Sequence, residues 1–163
     1  MIKRDFKLII GLGNPDKKYA NTYHNVGFLL ADFLKPHTPY PIPYTLLKSE
    51  VFMNQSGSFV LKALKQNNAK PDELLIIHDD SDIELGKYKL SFGRGAAGHH
   101  GVESIISALK TKNFWRLRIG VRSPKETMRK KADEFVLKKI SKADKALLEK
   151  TFEEIAEKLK MIN

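Results

Sequence analysis

The chain has 163 residues, 42% of them hydrophobic, and carries 29 Lys and Arg against 19 Asp and Glu, a formal net charge of +10. This length and composition exclude an intrinsically disordered chain and predict a single domain over residues 1–163. The sequence has no cysteine and no apolar run of about 18 residues, which excludes a disulfide framework, a thiolate nucleophile and a transmembrane helix.

The first half of the chain is predicted to alternate strands and helices. An apolar run at residues 7–10 leads into a glycine turn at 11–15, which is typical of a buried strand. Apolar residues at positions 26, 29, 30 and 33 have helical spacing and predict a helix over 25–34. We expect the prolines at 36, 39, 41 and 43 to end this helix and form a stiff connector. The elements predicted next are a strand at 44–47, a turn at 53–57 and a helix carrying Val60, Leu61 and Leu64.

The second half of the chain continues this alternation. Residues 74–77 predict a second buried strand, which ends at the polar sequence His-Asp-Asp-Ser-Asp of positions 78–82. The elements predicted next are a strand at 87–92, a small-residue loop at 93–101, a helix with an apolar stripe at 102, 105, 106 and 109, and a strand at 115–121. Ser141 and Asp144 indicate a capped helix at about 142–160, with Ala143, Leu147, Leu148, Ile155 and Leu159 turned inward. This order predicts a layered α/β domain with a mostly parallel sheet.

Positive charge is concentrated in a basic segment at residues 110–139. The segment holds eleven Lys and Arg against three Asp and Glu. Such a local excess is typical of a surface that attracts a polyanion, because each phosphate contact releases counterions. A solvated lysine-rich face remains the alternative.

The glycine turn that follows the first strand resembles the start of a dinucleotide-binding fingerprint. Asp16 stands where the third glycine belongs, however, and its carboxylate would face a pyrophosphate. A tight strand-to-helix turn with Asn14 as an amide donor is the alternative. No GxxxxGK[ST] sequence occurs, which excludes a P-loop.

Two groups of side chains are candidate metal ligands. The acidic cluster Asp79, Asp80, Asp82 and Glu84 lacks the glycine and the spacing of an EF-hand, which leaves a nuclease-type metal site as an open alternative. His99 and His100 are adjacent, so their side chains diverge and make a poor chelating pair, and no HExxH sequence occurs.

His24 is the candidate general base. A lone histidine in a polar segment is most simply a hydrogen-bonded surface residue. Asp79, which we place just beyond a strand end, could hold the imidazole in one tautomer, and Asn14 and Asn54 could bind a carbonyl or a sugar. Such a set activates water for attack on an ester without metal. No GxSxG sequence occurs, so a serine nucleophile is not indicated.

Six separated motifs resemble the bacterial-type peptidyl-tRNA hydrolase family. They are KLIIGLGNP at 7–15, Tyr19 with NTYHNVG at 21–27, FMNQSG at 52–57, His78-Asp79 with Asp82, Gly98-His99, and FWRLRIG at 114–120. The resemblance implies a single three-layer αβα domain with a twisted, mostly parallel mixed sheet. It also implies hydrolysis of the ester between peptide and tRNA, which recycles the tRNA, without a cofactor, metal or covalent intermediate.

The same resemblance implies roles for individual residues. His24 would be the general base, and Asp79 would orient and stabilise its imidazolium. Tyr19 would pack by the terminal adenosine, while Asn14, Met53, Asn54 and His100 would bind the substrate end. Lys89, Arg94, Arg116 and Arg118 are expected to contact tRNA phosphates. We expect a cytoplasmic monomer with peptidyl-tRNA as its partner and no membrane association.

The sequence departs from the family pattern in two places. His100 stands where the family has an asparagine, and imidazole cannot offer an amide's donor and acceptor together. The proline-rich stretch 35–44 replaces a longer segment, and the residues at 48–51 depart from the usual lead-in to the FMNxSG motif. These departures motivate the alternative of a catalytically weakened RNA-binding module on the same fold.

Overall fold

The computed structural model describes residues 5–37, 43–123 and 132–162. Five strands form one sheet in the order β2-β1-β3-β5-β4. The strands are β1 (Leu8–Gly11), β2 (Thr45–Lys48), β3 (Leu74–Glu84), β4 (Tyr88–Phe92) and β5 (Trp115–Arg122). The helices are α1 (Val26–His37), α2 (Ser56–Gln66), α3 (His100–Leu109), α4 (Ala132–Phe135) and α5 (Lys142–Ile162).

The sheet is mixed and mostly parallel. β1 pairs in parallel with β2 and β3, β3 pairs in parallel with β5, and only the β4 edge strand is antiparallel. β1 and the first four residues of β3 are fully buried, which is why both read as continuous apolar runs instead of alternating ones.

Helices cover both faces of the sheet, so the domain has the predicted αβα layers. On one face, α1 and α5 pack on sheet residues that include Ile9, Leu75 and Ile119. On the other face, α2 and α3 pack on residues that include Ile10 and Ile76. Alternate residues of the central strands therefore contribute to two separate cores. No helix within the described ranges combines the length and apolar character needed to cross a membrane.

α1 crosses β1 and β3 in close contact at a glycine. A Cβ atom on Gly27 would lie 2.5 Å from the Ile77 carbonyl oxygen and 2.6 Å from that of Leu12. This approach holds the start of α1, and the residues just before it, against the ends of two central strands.

The structure corrects three predictions about these elements. α1 continues through Pro36 to His37, because a proline one residue from the helix end interrupts only the last turn. β3 continues through the polar residues to Glu84, since β5 runs alongside and pairs with it across a register shift. Ala143 and Leu147 are exposed on α5, whereas Leu148, Ile155 and Leu159 are buried as expected. Residues 38–42 of the proline-rich stretch and residues 124–131 of the basic segment lie outside the described residues.

Candidate active site

A buried carboxylate within β3, just beyond the level at which β1 ends, joins two histidines. The His24 Nδ1 atom lies 2.9 Å from both carboxylate oxygens of Asp79. The His99 Nε2 atom lies 3.0 Å from Asp79 Oδ1. Asp79 is 3% exposed and His24 is 9% exposed, so these hydrogen bonds are largely shielded from water.

The tautomer of each histidine follows from its neighbours. An ionised carboxylate only accepts hydrogen bonds, so His24 carries its proton on Nδ1 and its lone pair on Nε2. His99 donates from Nε2 to Asp79, and its Nδ1 accepts from the Val102 backbone N–H at 3.3 Å, where it caps α3. Burial would raise the pKa of Asp79, but attraction to His24 and His99 and the hydrogen bonds from both hold that pKa below its usual range.

The backbone of His24 is anchored by a distant part of the chain. Its N–H donates to the Val136 carbonyl at 2.7 Å, and the N–H of Tyr23 donates to Lys138. Thr22 and Lys139 form an isolated antiparallel bridge. The segment after residue 131 therefore fixes His24, although nothing in its sequence indicated this contact.

Asn14 is held in one orientation and lines the same clefts as His24, which with Asp79 forms the dyad of the site. Its backbone N–H donates to Asn25 Oδ1 and its carbonyl accepts from Asn25 Nδ2. Its side-chain Oδ1 accepts from the Met53 backbone N–H at 2.8 Å. With Oδ1 committed to Met53, the Nδ2 donor is turned the other way, and Asn14 lines two clefts that also expose His24. The site therefore presents an oriented amide in the same two clefts as the His24 imidazole.

Two open clefts meet at His24, Asn14 and His100. The first, of about 460 Å³, is also lined by Phe52, Met53, Asn54 and Gln55. The second, of about 680 Å³, runs past Asp79 and His99 to Val136 and Leu137. Phe52 and Leu137 are both 47% exposed, so each cleft combines polar groups at the centre with an apolar wall, as in many ligand sites.

A separate cationic groove of about 640 Å³ lies on the β4–β5 side of the sheet. Its lining includes all four predicted phosphate contacts, namely Lys89, Arg94, Arg116 and Arg118. Lys89 and Arg94 are exposed, whereas Arg118 forms an ion pair with Asp80 at 2.7 Å. Arg116 is 3% exposed and forms the floor of the groove.

The described part of the basic segment is not a uniform solvated face. Arg116 is buried, Arg118 is ion-paired, and Lys139 donates to the carbonyls of Lys18 and Ala20. Lys110, Lys112, Arg122 and Lys138 of the same segment are exposed, so its described charges divide between solvent-facing and internally bonded positions.

The predicted acidic metal cluster does not converge. Asp79 faces histidines and Asp80 faces Arg118. Among the described residues, the one group of three that could hold a metal ion is His24, Asp79 and His99, whose ligand atoms lie within 4.8 Å of one another. Their mutual hydrogen bonds already account for this closeness.

The structure brings together most of the predicted site residues and adds others. His24, Asp79, Asn14, Met53, Asn54 and His100 line the clefts, whereas Tyr19 lines neither of them. His100 is 62% exposed in its side chain and lies 3.5 Å from Glu103, so it diverges from His99 as expected. Sequence reasoning did not assign roles to His99 or Asn25, and histidine is not among the residue types that mark a helix N-cap in a sequence.

Comparison with known sequences points to one family. The family model described as peptidyl-tRNA hydrolase matches residues 8–42 and 40–163. A peptidyl-tRNA hydrolase of Sulfurihydrogenibium sp. (strain YO3AOP1) is 38% identical over 160 residues, covering 88% of this chain and 84% of that protein. The peptidyl-tRNA hydrolase of Mycoplasmopsis synoviae (strain 53) is 37% identical over 164 residues, covering 93% and 86%.

Comparison with solved structures agrees. A crystal structure of peptidyl-tRNA hydrolase from Acinetobacter baumannii superposes with a TM-score of 0.82 at 30% sequence identity. The superposition covers 99% of this chain and 90% of that one, so the similarity extends over both cores and the segment that anchors His24.

Proposed function

The chain belongs to the peptidyl-tRNA hydrolase family and hydrolyses peptidyl-tRNA, and we propose that it does so with a water molecule that His24 activates and Asp79 supports. The observation that carries this proposal is the pair of 2.9 Å contacts between His24 Nδ1 and the buried Asp79 carboxylate. They leave the His24 lone pair on Nε2, at the junction of the two clefts. No covalent intermediate is proposed, because the chain has neither a cysteine nor a GxSxG serine.

The proton path follows from that tautomer. Nε2 of His24 takes a proton from water as the water oxygen bonds to the ester carbonyl carbon. Asp79 stabilises the imidazolium that forms, as the buried carboxylate does in other base dyads. The intermediate collapses by breaking the bond to the ribose oxygen, and His24 returns its proton to that oxygen. The products are the peptide acid and tRNA with a terminal hydroxyl, so atoms and protons balance.

Asn14 supplies the group that stabilises developing negative charge. Its Oδ1 is committed to the Met53 N–H, which leaves the Nδ2 donor for a substrate bound in the clefts that Asn14 lines. A fixed donor of this kind binds the carbonyl oxygen more tightly as it becomes an oxyanion, because no reorganisation is needed. Met53 thus acts through its backbone, and Asn25 holds the Asn14 backbone in place.

The cleft beside Phe52, Asn54 and His100 is proposed to hold the substrate end that flanks the ester. Asn54 is exposed at its rim, so its amide can reach substrate. His100 lies at the boundary of both clefts and leaves the His24–Asp79 contacts intact. The residue change that motivated a catalytically weakened RNA-binding module therefore lies outside the dyad, and no observation favours that alternative. The role predicted for Tyr19 gains no support from its position.

The cationic groove is proposed to bind tRNA phosphate. Lys89 and Arg94 are exposed there, and Arg118 offers a guanidinium that Asp80 orients. Cations at a groove attract a polyanion without reading its sequence. Because one chain carries every group in this scheme, we propose that it acts as a monomer, in the cytoplasm, where its translation-derived substrate would arise.

A His24→Ala variant tests the general-base assignment. The expected result is a fall in kcat of about 10²–10⁴-fold on an N-acetyl-aminoacyl-tRNA, the usual contribution of a general base, with tRNA affinity retained. His37→Ala is the matched control, because His37 is exposed at the far end of α1. Equal losses of cleavage and tRNA binding would contradict the assignment, as would full activity. EDTA is expected to leave the wild-type rate unchanged.

A further inference from the structure

Arg116 lies between the cationic groove and the catalytic dyad. Its side chain forms part of the groove, yet the residue is only 3% exposed. Its two hydrogen bonds both go to uncharged acceptors: Nη1 to His78 Nε2 at 3.2 Å and Nη2 to the Gly95 carbonyl at 2.8 Å. Within the described chain it forms no ion pair with a carboxylate; Asp80, which favours its charge, is paired with Arg118. A buried cation whose hydrogen bonds both go to uncharged acceptors is costly, which calls for a role beyond stability.

The contact with Arg116 fixes the protonation state of His78. A guanidinium only donates hydrogen bonds, so His78 Nε2 accepts and its Nδ1 carries the proton, which it donates to the Asp79 carbonyl oxygen at 2.7 Å. Burial, together with the nearby His99 and Arg116, holds the pKa of His78 well below its usual range. His78 is therefore a neutral, singly oriented spacer between Arg116 and the backbone of Asp79.

The His78 ring also supports the second histidine of the site. Its centroid lies 4.6 Å from that of His99, with the rings at 61° in an edge-to-face contact. His99 in turn donates to Asp79 Oδ1 at 3.0 Å. Arg116 thus reaches Asp79 by two routes through His78, one through the Asp79 backbone and one through the His99 side chain.

A third route runs through the loop that precedes His99. Residues 93–98 contain three positions with positive φ, at Gly93, Ala97 and Gly98, and Gly95 and Gly98 meet no neighbour that would stop a Cβ atom. Loosely packed residues of this kind cost little to move. The hydrogen bond from Arg116 Nη2 to the Gly95 carbonyl links this loop to β5. It therefore helps to fix the position of His99, which directly follows the loop.

We propose that Arg116 is a positioning residue for the hydrolysis, which holds His78 and the 93–98 loop so that Asp79 and His99 stay aligned with His24. This inference rests on the proposed roles of His24 and Asp79. It differs from a phosphate contact, because it acts on the chemical step even when the substrate carries no phosphate.

A substrate without phosphate separates the two roles. The 3′-O-(N-acetyl-aminoacyl) ester of adenosine carries the scissile bond and has nothing to place in the cationic groove. We expect Arg116→Ala to lower kcat on this ester by about tenfold or more, with KM changed little, which is the loss of a chemical-step interaction. Lys87→Ala, an exposed charge outside the clefts and the groove, is the control. A normal rate on the ester, with a raised KM for tRNA substrate alone, would overturn the proposal.

Chemical rescue distinguishes positioning from general damage to the fold. Guanidinium chloride at low, non-denaturing concentration is expected to restore several-fold the ester kcat of Arg116→Ala, whereas sodium chloride at equal ionic strength is not. Arg116→Lys is expected to recover activity partly, because one ammonium replaces a planar fork that serves two acceptors. No rescue by either route would overturn the proposal.

A second variant covers the case in which Arg116→Ala does not fold. His78→Ala keeps the guanidinium in the groove but removes the spacer, so the same loss of ester kcat is expected with tRNA affinity unchanged. Where both single variants fold, the double variant should lose less than the product of the two single losses, because two of the three routes from Arg116 pass through His78. Losses that multiply fully, or full ester activity in His78→Ala, would refute the routes through His78. If His24→Ala cleaves the ester normally, the proposed function fails instead.

Discussion

Replacing Asp79 with asparagine removes the charge of the dyad and keeps its shape. In the wild-type chain the carboxylate accepts from His24 at 2.9 Å and from His99 at 3.0 Å while only 3% exposed. An amide has one accepting oxygen and one donating nitrogen. It can satisfy one imidazole N–H, but its NH₂ group then faces the other ring and favours the wrong tautomer.

The expected size of this effect is large. If the amide donates to His24 Nδ1, the imidazole proton moves to Nε2 and His24 can no longer act as a base there. The equivalent change in serine proteases lowers kcat by about 10⁴-fold. We expect a fall of about 10³–10⁴-fold, which corresponds to about 4–5.5 kcal/mol of transition-state stabilisation. Asp79 is nearly inaccessible, so KM should change much less than kcat.

The assay is single-turnover hydrolysis of an N-acetyl-aminoacyl-tRNA across pH, with Asp32→Asn as the matched control. Asp32 undergoes the same chemical change but is exposed on α1 and pairs with Lys48. A fall in kcat of less than tenfold in Asp79→Asn, or a loss expressed only in KM, would show that the buried carboxylate does not support the base.

Three further predictions follow from the packing and the protonation states. Gly27→Ala should lower the free energy of unfolding by about 1–3 kcal/mol or more. The new methyl group would meet the Ile77 and Leu12 carbonyl oxygens at 2.5 and 2.6 Å. A urea titration that shows a change of less than about 0.5 kcal/mol would contradict this prediction. Because the pKa of His78 is depressed in the folded chain, only the unfolded chain binds its proton just below about pH 6.5. The free energy of unfolding is thus retained above that pH and should fall toward pH 5 by up to about 1.4 kcal/mol per pH unit. This dependence on pH should be weaker in His78→Gln, and equal slopes for the two proteins in urea titrations would contradict the prediction. His100→Asn should lower KM about two- to tenfold, because an amide could make one more hydrogen bond to the substrate than imidazole does. An unchanged or raised KM in steady-state assays would contradict the assignment of position 100 as a substrate contact.

The sequence was most informative about elements whose burial pattern is local. Apolar runs at 7–10 and 74–77 predicted the central strands, and the helical stripe from Val26 to Phe33 predicted α1, because buried parallel strands and amphipathic helices impose their periods on neighbouring residues. The family motifs also pointed to His24, Asp79, Asn14 and Asn54, which lie together around the clefts. Ser141 caps α5 through its Oγ as predicted.

Predictions were wrong where the deciding contact is distant in sequence. Polar residues after Ile77 resembled a loop, but β5 pairs with them and extends β3 to Glu84. Leu147 fits a helical stripe, yet the face of α5 that meets the sheet is set by Leu148 and Phe152. In both cases a neighbour that the local pattern does not contain decided the outcome.

The sequence by itself determined the layered α/β architecture, the identity of His24 as the candidate general base and the cationic character of the chain. Only the tertiary structure decided that His99 shares Asp79 with His24, that Arg116 is buried behind His78, and that residues 136–139 hold the His24 backbone. The reason is physical: these contacts depend on strand register, on the placement of the α3 N-terminus and on a return of the chain across more than a hundred residues. Local spacing encodes none of these, because a side chain's partner is chosen by packing and by the need to satisfy buried polar groups.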